Sequence, residues 1–130
     1  MAVEHPDTVD ARTDLYSLGA VGYYLVTGET VFFGATIGEV MMKQVKAEPE
    51  KPSARLGEPL SADFEDLLLR CLAKKPGDRP ASARELEAAL GRCAGASLWN
   101  RERTEEWWRQ FDTANSARTL VVNKPQSQPA

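Results

Sequence analysis

The residues able to do chemistry in this 130-residue chain are few and widely spaced. Asp14 stands at the mouth of an apolar run, where an uncompensated carboxylate is costly and must cap something. Arg79 lies in Lys74-Lys75-Pro76-Gly77-Asp78-Arg79-Pro80. A guanidinium held between a turn and a proline-fixed backbone suits a bidentate carboxylate. His5 is the single histidine, has no partner serine, cysteine or metal cluster, and reads as solvated. Cys71 falls on an apolar helical stripe and reads as a small buried hydrophobe. Cys71 and Cys93 fit no metal-ligand spacing and point to a reduced setting. The acidic pairs Glu105-Glu106 and Glu85/Glu87 read as solvated helix faces.

The element that must position Asp14 is the run Leu15 to Val26, closed by Thr27-Gly28. A glycine there is a helix stop, because it reaches left-handed geometry without a Cβ clash. Apolar and small residues sit on every side of the run, so the helix is expected to be buried all round. It is too short to cross a bilayer. A second helix is expected from Thr36, with Thr36-x-x-Glu39 as a capping box. Glu48 to Pro59 is rich in proline and reads as a surface connection. A third helix follows Ser61 as N-cap, with Phe64, Leu67, Leu68, Cys71 and Leu72 on one face. Ser82-x-x-Glu85 caps a fourth, with Leu86, Ala89 and Leu90 inward. Asn100 is placed to cap a short helix carrying Trp107, Trp108 and Phe111. From Asp112 onward the composition turns polar and disorder is expected, with Thr119 to Val122 as a candidate strand against a partner.

Composition is that of a soluble globular protein, 42% hydrophobic and 27% charged. A net charge of −3 gives no bulk electrostatic case for nucleic acid or acidic membranes. No apolar run approaches the length of a membrane span and no signal peptide is visible, so the expectation is a cytoplasmic chain with no membrane segment.

Two stretches carry a resemblance. Asp14-x-Tyr16-Ser17-Leu18-Gly19 with its apolar helix and Thr27-Gly28 resembles the central helix of the C-terminal lobe of protein kinases, in the style of bacterial serine/threonine kinases of the eukaryotic type. Cys71-Leu72-x-Lys74-x-Pro76-x-x-Arg79-Pro80 is similar to a later segment of that lobe. Met1-Ala2-Val3-Glu4 resembles the Met-Ala-Pro-Glu motif closing the activation segment, with Val3 in place of proline. Phe33-Gly34 fits a family turn in which Phe32 replaces proline.

The resemblance covers roughly residues 1 to 90 and implies a mostly α fold: four helices of a kinase lower lobe plus a short Trp-rich tail helix. It divides the chain into a partial kinase domain (1–92), a tail helix (93–112) and a disordered end (113–130). It implies structural roles for Glu4, Asp14, Gly19 and Arg79. Glu4 would pair with Arg79, and Asp14 would anchor the catalytic loop. The family transfers the γ-phosphate of ATP, with Mg, to protein serine or threonine. That chemistry needs a Gly-rich loop, a strand lysine, a catalytic-loop Asp and Asn and a metal-binding Asp. None of these motifs occurs in the 130 residues.

The chain alone is therefore expected to hold no ATP or metal and to be inactive. Its expected partners are a protein substrate or an N-terminal kinase portion. On this reading Met1 is an internal methionine used as an apparent start. The alternative is a non-catalytic, kinase-derived interaction module, with the helix after Thr36 as its surface. Trp99, Trp107 and Trp108 would cover an exposed end of the lobe or meet a partner. With the catalytic loop absent from the chain, Asp14 is expected to cap its own helix or face solvent.

Overall fold

The computed structural model describes residues 10–122, with side chains through residue 118. Among these the regular structure is helical: α1 (Arg12–Thr27), α2 (Ile37–Lys46), α3 (Pro52–Leu56), α4 (Ala62–Cys71), α5 (Ala83–Arg92) and α6 (Arg101–Val122), with single 3₁₀ turns at Pro76–Asp78 and Ala96–Leu98. The mostly α expectation is met. The chain divides into two compact units, residues 1–96 and 97–130. No helix among the described residues is long and apolar enough to cross a membrane.

In the first unit, α1 packs against α3 and α4, and α4 against α5. Two small cores result. Leu15, Leu67, Cys71 and Leu86 form one; Tyr16, Tyr23, Val31 and Leu72 form the other. The stripe expected on α4 is buried at Leu67, Leu68, Cys71 and Leu72 and half-buried at Phe64, with Cys71 at 2% exposure. Burial pushes the Cys71 thiol above its ordinary pKa, so the buried sulfur is held as an unreactive thiol. α1 stops where glycine allows it. Gly28 takes φ 74°, and its N–H donates to the Tyr24 carbonyl at 2.8 Å.

Three local expectations need correction. First, α1 is not buried all round. Leu15, Tyr16, Gly19 and Tyr23 face inward, while Leu18, Val21, Tyr24 and Leu25 are exposed, Leu25 by 77%. Apolar composition on every side does not ensure a partner on every side.

Second, the connection Glu48 to Pro59 contains α3, which the proline count concealed. Pro52 at its first turn forfeits no needed donor. Buried Glu65 of α4 accepts the Ser53 N–H at 2.7 Å and so satisfies a donor of that turn from a distance.

Third, the caps differ in detail. Thr36 and Ser82 accept the Glu39 and Glu85 amides at 3.2 and 3.1 Å, as a capping box requires. The glutamates, however, return to the amides of Ala35 and Ala81, one residue earlier. Ser61 makes no cap bond to the backbone. Its hydroxyl donates to the Asp63 carboxylate, whose other oxygen accepts the Ala94 N–H and ties the end of α5 to the start of α4.

The second unit is built on α6. Asn100 caps it, its side-chain oxygen accepting the Arg103 N–H at 3.0 Å. The helix has 22 residues and runs on past Asp112. Residues 113–122 are thus helical where disorder was expected, and Thr119 to Val122 are helix, not strand. Ion pairs one turn apart, Arg101–Glu105 and Arg109–Glu106, each at 3.0 Å, support the exposed helix beyond what its polar composition suggests.

Candidate functional site

The candidate site is built on α1 and what surrounds its two ends. Asp14, in its first turn, is exposed, and its carboxylate is not the cap. That place is taken by Asp10, whose Oδ1 accepts the Arg12 N–H at 2.8 Å. Arg12 also grips the same carboxylate with its guanidinium, which together with the amide holds the Asp10 carboxyl below its usual range. Asp14 thus stands in solvent at the helix mouth.

Gly19 sits where α1 meets α4. A Cβ there would lie 2.6 Å from the Cβ of Cys71, so only glycine lets the helices approach this closely. Gly22, one turn on, faces only the flexible end of Leu68, whose Cδ2 would lie 2.7 Å from an added Cβ.

Arg79 is 3% exposed. Its Nε donates to the Ala73 carbonyl at 2.9 Å, and its two terminal nitrogens to the carbonyls of Arg12 and Lys74, each at 3.2 Å. The guanidinium carbon lies 5.1 Å from the ring centroid of Tyr16. Arg79 therefore stitches the turn after α4 to the first turn of α1. Pro80 beside it is fully buried and fixes the backbone from which it projects. Glu4, its expected partner, lies outside the described residues. The spacing of Arg79 marked it as a recogniser of carboxylate. Its main-chain acceptors are set by tertiary approach, which no motif displays.

Arg55 of α3 was not singled out by sequence, because an arginine before Leu-Gly has no motif around it. Its Nη1 donates to the carbonyls of Thr30 and Val31 at 2.7 and 3.2 Å, and its Nε lies 3.0 Å from Glu50 Oε2. The guanidinium sits between the rings of Tyr23 and Phe33, at 5.0 and 4.7 Å. The Tyr23 hydroxyl donates to the Glu50 carbonyl at 3.1 Å. Together these bonds hold the loops after α1 and before α3 against each other.

Between α1 and the loop leading to α2 lies an open cleft of about 390 Å³, with Tyr16, Val21, Tyr24, Phe32, Val40 and Gln44 in its walls. Among the described residues it offers no carboxylate, histidine, cysteine or lysine. Its titratable side chains are the tyrosines Tyr16 and Tyr24. A second, almost wholly apolar groove runs along the other side of α1, between Leu18, Leu25, Phe64 and Leu90. The outer face of α2 is also apolar: Ile37, Met41 and Val45 follow at one-turn spacing and all are exposed. In the second unit Trp107 stacks on Phe111 with centroids 5.1 Å apart, and Trp108 meets both edge-on. All three rings, and Trp99, are exposed.

Among the described residues, no group of three or more His, Cys, Asp or Glu is placed to hold a metal ion. The left-handed glycines Gly28 and Gly57 close helices, and Gly19 and Gly22 are filled by neighbouring helices. None of these forms a phosphate cradle.

Glu65 supplies a pH test of the scaffold. Hydrogen bonds from the Ser53 hydroxyl and amide hold its carboxyl below the ordinary range, against the opposing effect of burial. A depressed folded pKa contributes stability that is fully present above the unfolded value, about 4.3, and is lost as pH falls through the folded one. Glu65→Gln is expected to flatten the acid limb of the stability curve. Thermal melts between about pH 6 and pH 3 measure this against the parent chain. An acid limb of unchanged slope would remove Glu65 from the account.

No protein-family model matches the chain. It is 46% identical over 86 residues to "Serine/threonine-protein kinase PknB" of Mycobacterium tuberculosis (strain ATCC 25618 / H37Rv), a match that covers 66% of this chain and 14% of that protein. It is 39% identical over 83 residues to "Serine/threonine-protein kinase pkn3" of Myxococcus xanthus, covering 63% of this chain and 15% of the relative. A third match, to "Probable serine/threonine-protein kinase PknB" of Corynebacterium glutamicum, is 36% identical over 123 residues and covers 89% of this chain and 19% of the relative. A match of that extent cannot be contained in residues 1–96, so it reaches into the unit built on α6.

Proposed function

We propose that this chain, which is similar to bacterial serine/threonine-protein kinases and spans about 14–19% of their length, is C-terminal-lobe sequence that supplies the helical scaffold of a phosphotransferase and not the phosphotransfer itself. ATP, magnesium and the residues that act on them belong to sequence outside these 130 residues. The substrate of the complete domain is protein serine or threonine, and its setting is the cytoplasm.

The observation that carries this reading is the two-sidedness of α1. Its inward face is complete, whereas Leu18, Val21 and Leu25 stand open beside a solvent-facing Asp14. A continuous apolar face of this kind suits a helix covered by another layer of protein. The resemblance implies that the layer is the catalytic loop and its neighbours. The tail is shared with at least one kinase relative, which supports reading the two units as consecutive parts of one kinase sequence.

The test has two arms. The purified chain is titrated with ATP–Mg in a calorimeter and assayed for phosphate incorporation into a generic protein substrate; neither binding nor transfer is expected. The N-terminal catalytic portion of a relative, ending before the matched segment, is then supplied in trans. It is expected to bind the parent chain, and binding should be lost in Leu18→Asp and Leu25→Asp, whose side chains are already exposed. ATP binding by the chain alone would overturn the reading. So would DNA upstream of Met1 with no His-Arg-Asp and Asp-Phe-Gly code in any frame.

A second reading is favoured by α2, which buries none of its residues. A stand-alone helical interaction module would use the Ile37–Met41–Val45 face for a protein partner. It would be monodisperse and unfold in one cooperative transition without any added kinase portion. An aggregating chain would count against it.

A further inference from the structure

We draw no further inference here: the strongest candidate, the exposed aromatic cluster of Trp107, Trp108 and Phe111 on α6, is an unpartnered face for which nothing in the structure shows what covers it.

Discussion

Arg79→Ala is expected to lower the stability of the first unit by about 3–4 kcal/mol, a large share of what a unit of this size holds. The physical account is direct. A hydrogen bond from a charged donor contributes about 1.5–3 kcal/mol, and a buried acceptor left without its donor adds its own desolvation cost. Arg79 serves the carbonyls of Ala73, Lys74 and Arg12 at once and also covers one face of Tyr16. Relaxation and water entry return part of the loss, so the sum of the separate bonds is not expected. Arg79→Lys should recover less than half, because a single ammonium cannot reach acceptors in three directions. Urea denaturation followed by far-ultraviolet circular dichroism measures both. An alanine variant within about 1 kcal/mol of the parent would show that Arg79 is not the stitch described. If the alanine variant does not fold, the lysine variant carries the comparison.

Glycine substitutions should give the second-largest effect, and one that changes sign along the chain. Gly19→Ala places a methyl 2.6 Å from Cys71 Cβ, an atom fixed to the backbone of α4. The overlap forces α1 and α4 apart. Overpacking of this kind costs about 1–3 kcal/mol, more than the roughly 1 kcal/mol that alanine gains over glycine in a helix. Gly19→Val should be worse still. Gly22→Ala meets only Leu68 Cδ2, the far end of a flexible side chain, at 2.7 Å, and should be close to neutral. Gly91→Ala in α5 meets nothing within 4 Å and should stabilise by up to about 0.5–1 kcal/mol. Thermal denaturation of the four variants tests the order. A Gly19→Ala chain as stable as the parent would mean that the α1–α4 approach is not constrained at Gly19. Cys71→Gly added to Gly19→Ala removes the opposing Cβ, so the two changes should cost less together than the sum of each alone.

These two predictions separate what sequence reveals from what it conceals. Local devices were readable. Thr36 and Ser82 cap their helices because a hydroxyl three residues before a glutamate has a short-range partner. The α4 stripe is buried because its spacing admits one inward face. Gly28 ends α1 because only its conformation is needed there. What escaped depends on distant approach. α3 rests in part on Glu65, twelve residues beyond the amide it accepts. The outer face of α1 reads like its inner face, since hydrophobicity records an affinity for cover and not the presence of a cover. α6 runs on past Asp112 through a polar stretch without an apolar stripe, while its ion pairs lie earlier, at residues 101–109. Among the site residues, Gly19 and Arg79 lie at close contacts, Asp14 lies in solvent, and Glu4 is outside the described residues.

Three of the acceptors around Arg79 are main-chain carbonyls, and this bears on how the unit tolerates mutation. A carbonyl is present whatever side chain its residue carries. Positions 12, 73 and 74 can therefore change identity without withdrawing an acceptor from Arg79, whereas position 79 has no substitute that offers the same fork of donors. The dependence runs one way. In a saturation-mutagenesis screen for solubility, residue 79 should accept almost nothing but arginine. Residue 73 should drift freely so long as its backbone stays where it is, and residue 12 should be limited by its own grip on Asp10 and not by Arg79.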